Sequence, residues 1–147
     1  MREFQTATSI AASPEEAWAL LADLERYPEW HPLVERMGVQ THWSTRLKVL
    51  ARISRKVRLG GSVLEWQPPH RIEWEGGHPV WGLLRVKYGL AIMRDRDGST
   101  VVQTVRVGGL LPRIVPSSLS SVPDALAESA HAIKQRVERQ PRLRAAA

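Results

Sequence analysis

The sequence predicts an α+β fold in which a curved antiparallel sheet of about seven strands wraps around a long C-terminal helix. Residues 121–140 repeat apolar side chains with the period of an α-helix, whereas much of the middle of the chain alternates apolar and polar residues as strands do. Between the first strand and this middle region lie two short helical segments. An amphipathic helix must bury its apolar face, and the sheet is the surface available for it.

The size and composition of the chain are those of one ordinary domain. Its 147 residues are 43% hydrophobic, enough for a full core, and the absence of cysteine excludes disulfides and thiolate chemistry. We expect one domain over residues 1–140 and a disordered tail over residues 141–147. Because no apolar run approaches the ~20 residues that cross a bilayer and no signal-peptide pattern opens the chain, we expect a cytoplasmic protein.

The N-terminal elements carry clear local signals. Residues 2–10 alternate apolar and polar side chains and predict the first strand. Ser13, Pro14 and Glu16 then form a capping box with proline at the first helical position, which predicts the start of a short helix. A second helical turn or two is expected over residues 24–30, limited by the prolines around it.

The remaining strands follow one another with turn signals between them. Asp97 and Gly98 predict a tight hairpin turn, and the pair Gly60 and Gly61 favours a β-bulge. A bulge there leaves open whether Glu65 or Trp66 faces inward. The predicted strands cover residues 34–41, 46–53, 57–66, 71–75, 84–92 and 100–107.

The C-terminal helix begins with a good cap and carries small residues on its apolar face. Ser121 can cap the first turn, and Pro123 follows where a missing N–H costs nothing. Ala125, Ser129 and Ala130 stand where a solid core would place larger side chains. They indicate either a close approach of helix and sheet or space for a ligand.

One segment supports a family resemblance. Residues 10–32 resemble the opening motif of the START-like superfamily, also called Bet v 1-like or SRPBCC, and of its polyketide cyclase/dehydrase group. The matching residues are Pro14, Glu15, Glu16, Trp18, Leu21, Asp23, Tyr27, Pro28 and Trp30. The resemblance extends to element order over nearly the whole chain. It implies a helix-grip fold with an apolar cavity between the sheet and the C-terminal helix, which in this family binds lipids, sterols, quinones or polyketides.

The leading hypothesis is therefore a protein that binds a hydrophobic or amphipathic small molecule. The apolar loop before the last helix would gate the cavity through Leu110, Leu111, Ile114 and Val115. The residues expected to contact the ligand are Trp30, Met37, Leu47, Val49, Leu59, Trp74, Tyr88, Gln103, Val105, Leu126, Ser129, Ala130 and Ile133.

A cyclase or dehydratase is the alternative that the same resemblance implies. Such an enzyme would use polar groups in the cavity to position a poly-keto chain and move protons, and Tyr88 and Gln103 are the catalytic candidates. Each has a structural alternative, since Tyr88 can bond a backbone carbonyl, Gln103 can face an edge, and Ser129 can bond its own helix. With no basic residue on an inward strand position, we expect a binding protein. If it is an enzyme, it should be aromatase/cyclase-like.

The histidines and glycines do not indicate a metal or nucleotide site. The five histidines lack metal-ligand spacing, and the paired glycines lack the strand-to-helix context of a phosphate loop. We therefore expect no metal and no cofactor. His31 and His42, each beside a tryptophan, could line a cavity mouth or could be solvated.

The formal net charge of +6 suggests a possible anionic partner. A basic face is predicted on one hairpin, where it would bind an acidic protein, RNA or an anionic lipid. The alternative is an ordinary solvated surface, partly neutralised by Glu73 and Glu75. A monomer and a homodimer both stay open. The residues of this basic face are Arg46, Lys48, Arg52, Lys56 and Arg58.

Overall fold

The structure is a computed structural model. It describes residues 2–31, 34–41, 47–53, 57–77, 82–114, 119–120 and 122–146, with the backbone alone for 34–41, 47–53, 57–63 and 140–146. The predicted α+β class is confirmed, as is an antiparallel sheet packed against the C-terminal helix. None of the helices in these ranges is long and apolar enough to cross a membrane.

All described strand pairs are antiparallel, and the first and last strands of the sequence are neighbours in the sheet. β1 pairs with β7, and the order continues through β6, β5, β4, β3 and β2. The strands are β1 (Arg2–Ile10), β2 (Val34–Thr41), β3 (Leu47–Ile53), β4 (Val57–Gln67), β5 (Arg71–Gly77), β6 (Arg85–Asp95) and β7 (Gly98–Gly108).

The helices occupy the predicted places, with two differences. The segment between β7 and the last helix was expected to be a loop, but it contains a helical turn. The last helix continues through residues 141–146, where we expected a disordered tail; the domain boundary at residue 140 stays a prediction. The helices are α1 (Pro14–Leu21), a 3₁₀ turn (Leu24–Arg26), α2 (Tyr27–Trp30), α3 (Leu111–Ile114) and α4 (Val122–Ala146).

The core lies between the inner face of the sheet and the helices. Alternate residues of β5, β6 and β7 are buried, as the period of two requires. On α4 the buried side chains recur at Leu126, Ser129, Ile133 and Val137, one face of a helix. The central cluster includes Ile10, Leu21, Ile72, Leu90, Ile92, Val101, Ile133 and Val137.

Two polar contacts fix α4 against the end of β1. Lys134 Nζ donates to the carbonyl oxygen of Ser9 at 2.9 Å, and Glu138 Oε1 accepts from the backbone N–H of Ala11 at 3.1 Å. Lys134 and Glu138 also form an ion pair at 3.1 Å, one helical turn apart. Because both contacts reach backbone groups, they set the position of the helix along the strand.

The predicted bulge in β4 exists but lies further along the strand. The register stays regular at Gly60 and Gly61 and shifts between Val63 and Glu65. Trp66 therefore pairs with Ile72, which is buried on the inner face. Trp66 stays 40% exposed and packs edge-on against Trp18 of α1, with ring centroids 5.2 Å apart. The question left by the sequence is resolved with Trp66 on the inner side.

Candidate functional site

A buried polar pair lies on the inner face of the sheet. Tyr88 on β6 and Gln103 on β7 are 7% and 1% exposed, and the Tyr88 hydroxyl donates a hydrogen bond to Oε1 of Gln103. Both positions belong to the inward set because Tyr88 lies opposite Trp74 and Val105 in the register, and Gln103 lies opposite Leu90. A polar pair amid these apolar side chains is expensive to bury unless each group has a partner.

Aromatic rings surround this pair on one side. The ring centroids of Trp74 and Tyr88 are 5.2 Å apart, and His31 approaches Tyr88 edge-on at 6.4 Å. His31 in turn stacks on Tyr27 at 5.5 Å with an interplanar angle of 7°, and Trp30 lies 5.3 Å from the same imidazole. The end of α2 and the middle of the sheet thus supply one continuous aromatic surface.

Four buried side-chain nitrogens have no hydrogen-bond partner among the residues that the structure describes: Trp30 Nε1, Trp74 Nε1, Gln103 Nε2 and Arg136 Nε. Every one of these atoms carries hydrogen and donates; the corresponding set of unpaired buried side-chain oxygens is empty in the same ranges. An unpaired buried donor costs about 1–3 kcal/mol. Three of these donors, on Trp30, Trp74 and Gln103, belong to the inner surface, whose described part therefore has an excess of donors that a molecule with acceptor atoms could satisfy.

Burial keeps the titratable groups of this surface neutral. It lowers the pKa of His31 from 6.5 to about 4, so the imidazole is uncharged at neutral pH. Burial also raises the pKa of Tyr88 and that of Tyr27 above the usual range for a phenol. Tyr27 donates to the carbonyl oxygen of Leu21 at 2.6 Å, which gives its hydroxyl a structural role. His31 and Tyr88 are thus neutral polar groups within an apolar setting.

On α4 the small-residue face provides no free polar group. Ser129 is fully buried, and its hydroxyl donates to the carbonyl oxygen of Ala125 at 2.9 Å, so it bonds its own helix. Leu126 and Ile133 are buried beside it, while Ala130 is half-buried. The helix therefore contributes an apolar wall, and the polar chemistry comes from the sheet and α2.

The structure brings part of the predicted ligand-binding set to this surface. Trp74, Tyr88, Gln103, Leu126, Ser129 and Ile133 are buried on it, and Trp30 and Val105 are half-buried and pack against the same core. The side chains of Met37, Leu47, Val49 and Leu59 lie outside the described residues. Their role in binding, like that of the whole set, stays a prediction.

The structure describes most of the predicted gate residues but none of the side chains of the predicted basic face. Leu110 and Ile114 are exposed and Leu111 is half-buried, while Val115 lies outside the described residues. The side chains of the basic face, Arg46, Lys48, Arg52, Lys56 and Arg58, also lie outside them. On the described outer face, charges pair across strands as Arg85 with Glu75 and Arg106 with Glu3.

The burial of His31 was not predicted from the sequence. His31 was expected at a cavity mouth or in solvent, yet it is only 6% exposed. The signal available was its position between Trp30 and Pro32, at the end of a helix whose neighbours are aromatic.

Within the described ranges, no group of three or more histidine, aspartate or glutamate side chains is placed to hold a metal ion.

The same fold occurs in several solved structures. The chain is similar to the Zhui aromatase/cyclase of Streptomyces sp. R1128, with a TM-score of 0.77, 13% identity and coverage of 95% of this chain and 94% of that one. It is similar to a START superfamily protein of Mycobacterium smegmatis, with a TM-score of 0.72, 18% identity and coverage of 94% and 98%. It also matches the di-domain aromatase/cyclase StfQ of the steffimycin pathway, with a TM-score of 0.75 and 12% identity; 99% of this chain spans 52% of that one.

These likenesses define a START-type helix-grip fold. The sequence itself matches the model of the polyketide cyclase/dehydrase and lipid transport family over residues 1–138. The chain therefore belongs to that family, as its opening motif suggested. No curated protein matches it in sequence.

Proposed function

We propose that this protein binds a hydrophobic small molecule that carries carbonyl or ether oxygens, held between the inner face of the sheet and α4. The observation that carries the proposal is the set of unpaired buried donors, above all Gln103 Nε2 and Trp74 Nε1. Family membership supports a hydrophobic ligand. We further propose that it acts in the cytoplasm, as a monomer or a homodimer.

The Tyr88–Gln103 hydrogen bond determines which polar group faces a ligand. The Tyr88 hydroxyl uses the amide oxygen of Gln103 as its acceptor, which leaves the amide nitrogen as the free end of the pair. A ligand carbonyl accepts from such a donor without needing a hydrogen atom of its own. Quinones and polyketides fit this pattern, whereas a saturated hydrocarbon chain supplies no acceptor.

Ligand screening tests the proposal. Native mass spectrometry of the purified protein and thermal shifts with lipids, quinones and aromatic polyketides should reveal binding of the carbonyl-bearing classes. Gln103→Leu should weaken that binding, whereas Ser129→Ala should leave it unchanged because the Ser129 hydroxyl bonds its own helix. Absence of both a co-purified molecule and any thermal shift would count against the proposal.

A polyketide cyclase or dehydratase is the second candidate, favoured by the neutral His31 beside the Tyr88–Gln103 pair. The uncharged imidazole can accept a proton from the substrate in the transition state, and Gln103 Nε2 can donate a hydrogen bond to the substrate carbonyl oxygen while the Tyr88 hydroxyl holds the amide in place. The fold likeness to aromatase/cyclases agrees with this chemistry.

Turnover of a poly-keto substrate separates the two candidates. For an enzyme, Tyr88→Phe and His31→Gln should each abolish cyclised product while the substrate still binds. For a binding protein, the wild-type chain should bind the substrate and return it unchanged. Product formation that survives both substitutions would remove these residues from the mechanism.

A further inference from the structure

The turn between β7 and α4 presents two large apolar side chains to solvent. Leu110 is 52% exposed and Ile114 is 65% exposed. The backbone N–H of Ile114 donates to the carbonyl oxygen of Leu110 at 3.1 Å, so the two residues are one helical turn apart and project side by side. Single exposed apolar residues are common, whereas an adjacent exposed pair is a candidate contact surface.

A basic groove adjoins this pair at the same end of the sheet. It is lined by Arg2, Arg85 and Arg113 together with apolar and glycine positions, and no acidic side chain of the described residues lines it. Arg85 forms an ion pair with Glu75, which offsets its charge, while Arg2 lies over the ring of Phe4. Arg2 and Arg113 therefore give the groove its positive character beside the apolar pair.

The backbone fixes the turn in this outward position. The N–H groups of Leu110 and Leu111 donate to the carbonyl oxygens of Gly82 and Leu83 at 2.9 and 2.8 Å. Gly109 has φ +105°, and a Cβ at this position would meet the Leu83 oxygen at 2.7 Å. Only glycine allows so close an approach, so the pair is held away from the core.

We propose that this tip, defined as Leu110 and Ile114 with Arg2, Arg85 and Arg113, docks the protein onto the surface of an anionic lipid bilayer. The two apolar side chains would enter the headgroup region and the guanidinium groups would contact lipid phosphates. Charge complementarity and two exposed apolar side chains together favour a bilayer, since a nucleic acid would use the arginines alone and a stable protein interface needs a patch of about 800 Å² on each partner. The proposal does not depend on which molecule the interior binds.

Vesicle sedimentation tests the tip. The wild-type protein should bind vesicles containing phosphatidylglycerol more tightly than vesicles of phosphatidylcholine alone, and added salt should weaken the binding. Leu110→Ser with Ile114→Ser should reduce the affinity about tenfold or more. Arg113→Glu should reduce it about tenfold or more as well, because it removes one cation and adds an anion.

Matched variants at the other end of the molecule serve as controls. Met93→Ser changes another residue that is 52% exposed, and Arg96→Glu reverses an exposed arginine in the β6–β7 turn. Both should stay within about twofold of wild type, because Met93 and Arg96 lie at the opposite end of β6 and β7 from the tip, and exposed charges beyond a Debye length are screened. Equal losses in the control and tip variants would mean attraction by the overall charge and would overturn the proposal. So would wild-type protein that fails to sediment with anionic vesicles.

Because the chain has no cysteine, a single introduced thiol gives a second, site-specific measurement. The emission maximum of an environment-sensitive fluorophore attached to Ile114→Cys should shift to the blue when anionic vesicles are added. The emission of the same fluorophore on Met93→Cys should not shift. A different result would contradict bilayer docking and assign the surface to a polyanion. In that case the protein would be retained on heparin, Arg113→Glu but not the apolar variants would abolish the retention, and vesicles would cause no blue shift.

Discussion

Replacing both members of the Tyr88–Gln103 pair by apolar side chains of similar shape should leave the ligand-free protein as stable as wild type or more stable. The combined variant Tyr88→Phe with Gln103→Leu removes the hydrogen bond, whose net contribution is about 1 kcal/mol. It also removes the unpaired Gln103 Nε2. That unpaired donor costs about 1–3 kcal/mol, so the free energy of unfolding should change by about 0 to +2 kcal/mol.

The single variant Tyr88→Phe should behave oppositely. Tyr88→Phe removes the donor to Gln103 Oε1 and leaves the whole amide buried without a partner. The expected loss is about 1–3 kcal/mol, which for a domain of this size lowers Tm by about 2–4 °C for each kcal/mol. Gln103→Leu leaves the Tyr88 hydroxyl without its acceptor but also removes the unpaired Nε2, so its net effect on the free energy of unfolding should be close to zero. The double-mutant cycle should therefore give a coupling energy of about 3 kcal/mol between the two positions.

Urea unfolding of the ligand-free proteins measures the change in stability. Titration with a carbonyl-bearing ligand then measures the change in affinity. The double variant should bind that ligand about ten- to a hundredfold more weakly, because the ligand oxygen loses its donor in a buried setting. A double variant that is less stable than Tyr88→Phe would refute the assignment of Gln103 Nε2 as an unpaired donor. Unchanged ligand affinity would refute its role in binding.

Three further predictions follow from single residues. Burial lowers the pKa of His31 from 6.5 to about 4, so the unfolded chain takes up a proton first as pH falls. Stability should be full above about pH 6.5 and fall by about 3 kcal/mol towards pH 4, and urea unfolding should show this loss in wild type and in His131→Gln but not in His31→Gln. Gly98→Ala should cost several kcal/mol and lower Tm strongly, since φ is +143° and the new Cβ would lie 2.5 Å from the Ile10 oxygen; an unchanged Tm would contradict this geometry. Tyr27→Phe should cost about 1–3 kcal/mol in urea unfolding because a buried carbonyl loses its donor, and a loss below about 0.5 kcal/mol would show that the bond is replaced.

Elements governed by local chemistry could be predicted from the sequence. The Ser13 hydroxyl accepts from the N–H of Glu16 at 3.2 Å, as the capping pattern indicated. β1 shows the expected alternation and ends on the buried Ile10. Such signals involve residues within one turn or one strand, so no tertiary information is needed to interpret them.

Features set by pairing between distant segments could not be predicted in the same way. The register shift in β4 occurs at Val63 and Glu65, away from the glycines that favour a bulge, because the partner strand β5 determines the register. The burial of His31 depends on stacking with Tyr27 and on the approach of Tyr88 from another element. The excess of donors is likewise visible only once all neighbours of each nitrogen are known.

The most direct test of the central claim is the affinity of the protein for a matched pair of ligands, fluorenone and fluorene, which differ by one carbonyl oxygen. Donors on the inner surface should make fluorenone bind about tenfold more tightly, and the advantage should disappear in Gln103→Leu. Equal affinity of the wild-type protein for the ketone and the hydrocarbon would contradict the account.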